Sequence, residues 1–201
     1  MTAPQWALRL NRILPVVVGL LLADRLARDR CLRVNELLAN LPLSRRGYVA
    51  GKVVGATAAT ILPVVVLYAW GGFYLLVQSP SLATLGRLVA AFLAINLPGL
   101  FFVAAFSVAC PAVIPVRAYQ VLFTGYWIWG TMLNPQVFPT LNGTWLTPTG
   151  IHAYRYLAGS GSGSSGASLL DLVGSISLLV VMGIGILAVL ERYLAARAER
   201  S

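Results

Sequence analysis

Apolar positions gather into five runs along the chain, at residues 6–23, 48–77, 85–109, 118–133 and 169–190, with polar residues concentrated between them. Runs of this length with few charges predict membrane-crossing helices. The first is the weakest, because Arg9 and Arg12 interrupt it. Gln78-Ser79-Pro80-Ser81 separates the second run from the third, and Pro111, Pro115 and Arg117 separate the third from the fourth. Inside the third run, Asn96-Leu97-Pro98-Gly99 predicts a kink, since proline removes a helix donor. Gly51, Gly55 and Ala59 recur every fourth residue, a small-residue ladder that lets helices approach closely, within one subunit or between two. Ser168 and Asp171 form a capping box at the start of the last run. The fold expected is all-α: one transmembrane domain over residues 1–201, a polytopic helical bundle of about five spans.

The segment between the fourth and fifth runs, residues 134–167, is more polar. Its first part carries Phe138, Trp145, Tyr154 and Tyr156, suited to the membrane interface or to a cap over the spans. Its second part, residues 159–166, contains only Gly and Ser, a flexible tether. Trp127 and Trp129 are expected as interface anchors, the alternative being that they line a path for an amphipathic solute.

Composition agrees with a membrane protein. Apolar residues make up 58% and charged residues 10% of the chain, against about 25% charged in soluble domains. The net charge of +9 would suit nucleic acid. The basic residues, however, sit beside the apolar runs, where topology explains them, so no nucleic-acid partner is expected. Seven of the fifteen Lys and Arg residues fall between Asp24 and Lys52. That island and the tail with Arg192, Arg197 and Arg200 are the richest basic clusters, and both are expected in the cytoplasm. The chain then alternates consistently: the 134–167 loop is extracellular, the C-terminus is cytoplasmic, and the N-terminus starts outside despite Arg9 and Arg12. Fourteen of the fifteen basic residues are Arg, which with abundant Ala and Gly suggests a GC-rich bacterial genome and the inner (plasma) membrane.

Little in the chain points to catalysis. Cys31 and Cys110 fit no metal or disulfide spacing, and His152 is the only histidine, expected at the surface or an interface of the outer loop. No ionisable residue lies mid-span between Lys52 and Leu190, which argues against coupling to an ion gradient. No phosphate loop of the form Gly-x-x-x-x-Gly-Lys-Ser/Thr occurs, so nucleotide would be handled by another chain. No catalytic residue, metal or cofactor is expected.

The island carries the most specific pattern. Asp24 with Arg28 and Asp29 with Arg33 are acid-first pairs four residues apart, which predicts that the first span continues as a helix beyond the membrane. Val34, Leu37, Leu38 and Leu41 then form one apolar helical stripe that ends at Pro42. On spacing alone this is either an interfacial helix or a docking helix. The order Glu36-Leu37-Leu38, Pro42, Ser44-Arg45, Gly51-Lys52 beside a span resembles the ABC-2 type permeases, the membrane subunits of one large class of ABC transporters. In that family such a segment is the coupling helix that contacts the ATPase subunit. The resemblance implies that residues 24–47 are the cytoplasmic coupling segment, with Arg28, Asp29, Arg33, Glu36, Leu37, Leu38, Leu41, Pro42, Ser44 and Arg45 docking a separate ATPase. It also implies a second permease subunit, identical or not, and an ATP-driven exporter. The family often carries a Pro-x-Gly element before its last span, and Pro148-Thr149-Gly150 is similar to it. The family usually has six spans, with the island after the second; here it follows the first. A missing N-terminal span, or a shortened member, is the expectation that follows. The alternative class is a non-transporting membrane scaffold or assembly protein.

Overall fold

The computed structural model describes residues 2–31, 45–133, 136–137, 139–142, 144–159 and 168–198. Every regular element among them is helical. α1 runs over Ala3–Cys31, α2 over Arg45–Gln78 and α3 over Leu82–Ala91. A π-helical turn, Phe92–Asn96, joins α3 to α4, Leu97–Ala109, and a 3₁₀ turn follows at Cys110–Ala112. α5 is Val116–Thr131, α6 is the short Ile151–Gly159, and α7 is Leu169–Ala198.

Four stretches are long and apolar enough to cross a membrane: Ala3–Ala23, Thr57–Gln78, Leu82–Ala112 and Leu169–Tyr193. The fifth expected span is α5. Its 16 residues rise about 24 Å, short of a hydrocarbon core of about 30 Å.

The weakest run in the sequence forms the centre of the fold. α1 packs against α2, α3, the π turn, α4, α5 and α6, and α7 lies along the far side of α4. Alternation sets this up. Ala7, Asn11, Pro15, Val18 and Leu22 are buried, while Gln5, Arg9, Arg12, Ile13, Val17 and Leu21 are exposed. That is the 3.6-residue period, with the two arginines kept off the packed face.

The bundle has two ends. At the loop end stand the start of α1, the α2–α3 turn, α6 and the start of α7, around a core of Ala7, Tyr68, Leu88, Ile95 and Ala153. Ser81 caps α3 there, its hydroxyl accepting from the Thr84 amide at 3.1 Å. At the island end, Leu22, Val64, Val108, Ala112 and Leu190 close a second core. Between them an aromatic column joins α4 to α5, with ring centroids 6.1 Å apart for Phe106–Tyr119, 5.5 Å for Tyr119–Phe123 and 5.9 Å for Phe123–Trp127.

At the island end α1 continues past its apolar run, from Ala23 to Cys31, about 12 Å further, and α2 begins at Arg45, three residues before its own apolar run at residue 48. The expected helical continuation of the first span is therefore present as far as Cys31.

Candidate functional site

The break in the third span is the best-defined polar site. Pro98 has no amide hydrogen, and the helix just before it widens to a π turn, closed by the Leu97 amide bonding to the Phe92 carbonyl. The wide turn leaves the Ile95 carbonyl open to a side-chain donor. Asn11, from α1, donates through Nδ2 to that carbonyl at 3.0 Å and to the Pro148 carbonyl of the loop at 3.0 Å. Asn96 Nδ2 donates back to the Ala7 carbonyl at 3.4 Å. Asn11 and Asn96 are each 1% exposed, so these contacts form out of reach of water and are electrostatically strengthened.

Two glycines make the approach possible. A Cβ on Gly99 would overlap the Pro148 carbonyl oxygen. Gly150 has φ +71°, a conformation that side-chain-bearing residues rarely adopt, and a Cβ there would lie 2.8 Å from the Ile95 carbonyl oxygen. The Pro148-Thr149-Gly150 element is thus a turn seated on the span break. Where the sequence predicts a kink the structure has a π turn, and Asn11 and the loop turn are seated against it.

The rest of the loop folds over the same end. Thr147 Oγ1 bonds to the Leu141 carbonyl, and His152 Nε2 lies 3.2 Å from the Thr144 carbonyl. His152, expected at the surface or an interface, is instead buried inside the cap. The capping box at α7 forms as expected: Leu170 N donates to Ser168 Oγ at 3.2 Å and Ser168 N to Asp171 Oδ2 at 3.2 Å. Trp145 Nε1 adds a bond to Asp171 Oδ1 at 3.1 Å, tying loop to span.

Trp127 corrects an expectation. It is fully buried, not an interface anchor, and its Nε1 donates to the Arg12 carbonyl at 2.8 Å. Its indole is wedged between α5 and α1 because that carbonyl offers the lone pair its N–H needs. Trp129 is 41% exposed and compatible with the interface role.

Two apolar cavities open on the bundle. One, of about 500 Å³, lies along the aromatic column and is lined by Phe102, Phe106, Tyr119, Phe123, Trp127 and Met182. The other, of about 510 Å³, lies between α2 and α3 and is lined by Val65, Tyr68, Phe73, Leu85 and Phe92. Their linings carry few polar atoms: Tyr119 OH shares a hydrogen bond with Ser107 at 2.7 Å, and Tyr68 OH donates to the Leu88 carbonyl at 2.9 Å. Among the described residues, no three of the His, Cys, Asp or Glu side chains gather to hold a metal. What the two cavities offer is apolar surface.

Of the expected docking residues, Arg28 and Asp29 lie on the α1 extension and Arg45 opens α2. Arg33, Glu36, Leu37, Leu38, Leu41, Pro42 and Ser44, and with them the apolar stripe, lie outside the described residues. Among the described residues the ladder meets no other helix: a Cβ on Gly51 or Gly55 would meet nothing within 4 Å, and Ala59 is exposed. The Asn11–Ile95–Pro148 hub was not anticipated; the signal for it was a lone Asn within an apolar run, on the side opposite the arginines.

No family model matches this chain, and neither does any curated protein or solved structure.

Proposed function

We propose that the chain is the permease subunit of an ATP-driven ABC-2 type exporter, set in the inner membrane with the loop outside and the C-terminus in the cytoplasm. It forms the translocation path with a second permease subunit, and residues 24–47 dock a separate ATPase. The observation that carries this reading is the island itself: the Glu36-Leu37-Leu38, Pro42, Ser44-Arg45, Gly51-Lys52 order, between a first helix that continues past its apolar run to Cys31 and a second that opens on Arg45-Arg46. A helix carried past its apolar run suits a segment presented to a soluble partner.

The architecture supports transmission of force. α1 leaves the island and runs to the centre of the bundle, where Asn11 holds both the α3–α4 break and the Pro148 turn. A displacement of the island would travel along α1 as a rigid element and reach the span break and the loop together. In this reading α5, too short to cross alone, is the fifth span and is completed by the segment that follows it. The open Gly51, Gly55, Ala59 ladder is a face for the second permease subunit.

The test is affinity purification of the full chain from native membranes in mild detergent. A co-purifying chain with a phosphate loop, whose ATP hydrolysis changes on reconstitution with this protein, is the expected result. Recovery of the protein with no nucleotide-hydrolysing partner would remove the exporter reading and leave the scaffold.

A further inference from the structure

Arg9 and Arg12 stand on an exposed face of a helix that crosses the membrane, and neither guanidinium has a hydrogen-bond or ion-pair partner among the described residues. They are three positions apart, neighbours on one helical surface. Charges in such a place are costly unless something meets them.

The bundle interior does not meet them. The side chain α1 turns inward at this level is Asn11. The acid available at the loop end among the described side chains is Asp171, and both its oxygens are taken, by Trp145 and by Ser168. Glu191 lies twenty positions further along α7, about 30 Å away at the island end. The counter-charge therefore comes from outside the subunit.

The shape of the exposed stripe says what brings it. Gln5, Arg9 and Arg12 occupy the part nearest the loop end, and from Arg9 the exposed row continues in four-residue steps through Ile13, Val17 and Leu21, at 62%, 46% and 56% exposure, winding about 40° round the helix per step. From Ile13 to Leu21 the helix rises about 12 Å, close to the roughly 15 Å of hydrocarbon in one leaflet. Polar above and apolar below over one leaflet is the profile of a single lipid. The geometry also helps the arginines reach a headgroup. Cα–Cβ bonds tilt toward a helix N-terminus, which here is the loop end, so both side chains start in the direction of the interface. Paired guanidinium groups match a phosphate by parallel N–H donation, which a zwitterionic headgroup satisfies less well because its own ammonium competes.

We propose that the Arg9–Arg12 face of α1 is a binding site for an anionic glycerophospholipid of the leaflet at the loop end, with the phosphate on the two guanidinium groups and an acyl chain along Ile13, Val17 and Leu21. The site belongs to the membrane-embedded chain itself and does not rest on the transport reading.

The full-length protein is reconstituted in nanodiscs of equal parts phosphatidylcholine and phosphatidylglycerol with matched acyl chains, and the retained lipid is measured after mild delipidation. Phosphatidylglycerol is enriched over phosphatidylcholine on the wild type by about tenfold. Arg9→Gln with Arg12→Gln removes the enrichment, and Arg9→Lys with Arg12→Lys, which keeps the charge, retains part of it. A phosphatidylglycerol carrying a photoreactive acyl chain cross-links to residues 13–21 of the wild type. If the double glutamine variant does not fold, the single Arg9→Gln variant and the cross-linking map carry the test. Enrichment unchanged in a folded glutamine variant overturns the proposal. So does cross-linking with no preference for that face, or enrichment abolished by inorganic phosphate, which would show a site for a soluble anion. Recovery of another protein chain cross-linked to this face with no enriched lipid would assign the arginines to that partner instead.

Discussion

The side-chain amide of Asn11 donates to the carbonyl of Pro148 at 3.0 Å, joining the first helix to a loop turn 137 positions later in the chain. The same nitrogen holds the Ile95 carbonyl at the π turn. One buried amide thus links the central helix, the broken span and the cap over the loop end.

Replacing it should loosen all three. Asn11→Leu is close in volume but leaves two carbonyls without their donor, at a cost of about 1–3 kcal/mol for an unsatisfied buried group. Thermal unfolding of the purified protein in detergent should show a lower midpoint, and limited proteolysis should cut the 139–159 region faster. An unchanged midpoint together with unchanged loop cleavage would show that the hub contributes nothing to the packing.

Gly150 and Gly86 make a sharper pair. Gly150→Ala forces a Cβ toward the Ile95 carbonyl at a residue with φ +71°. Strain of that kind costs about 1–3 kcal/mol. Gly86→Ala, where an added Cβ meets nothing within 4 Å, is the control and should be neutral or slightly stabilising. The two variants are compared by thermal midpoint. Equal midpoints would show that the Pro148-Thr149-Gly150 turn does not need its close seat on the span break.

The orientation expected from the charge distribution is open to labelling. In a chain with Cys31 and Cys110 replaced by Ala, a cysteine introduced by Ser162→Cys should react with a membrane-impermeant thiol reagent in intact cells. One introduced by Ser44→Cys should react only after the membrane is permeabilised. The reverse pattern would invert the topology from end to end.

Much of the fold was legible in the sequence because long apolar runs and their polar breaks depend on local physics. The Gln78–Ser81 turn, the capping box at Ser168 and Asp171, and the break at Pro98 all stand where the pattern places them. What local physics does not encode is which helix each face meets. Arg9 and Arg12 made the first run look marginal, yet burial of Ala7, Asn11 and Val18 on the opposite side makes α1 the centre of the bundle. Trp127 has the composition of an interface anchor, and only the position of the Arg12 carbonyl turns it into a core residue. The Asn11 hub depends on three segments far apart in sequence, so no spacing rule could have announced it. The island pattern is a sequence feature throughout, and its most telling positions, from Arg33 to Ser44, lie outside the described residues.

The most direct measurement is therefore made on the island. Leu37→Asp with Leu41→Asp places two charges on the apolar stripe that the sequence pattern puts in the island, while leaving the membrane runs untouched. A buried charge without a partner is costly at an interface, and loss of affinity by at least about a hundredfold is expected. Wild-type and variant chains are purified from native membranes at equal yield, and the co-purifying ATPase is quantified. The docking reading predicts an ATPase with the wild type and its loss from the variant, with membrane insertion unchanged. An ATPase retained in full by the double variant would contradict docking through this segment.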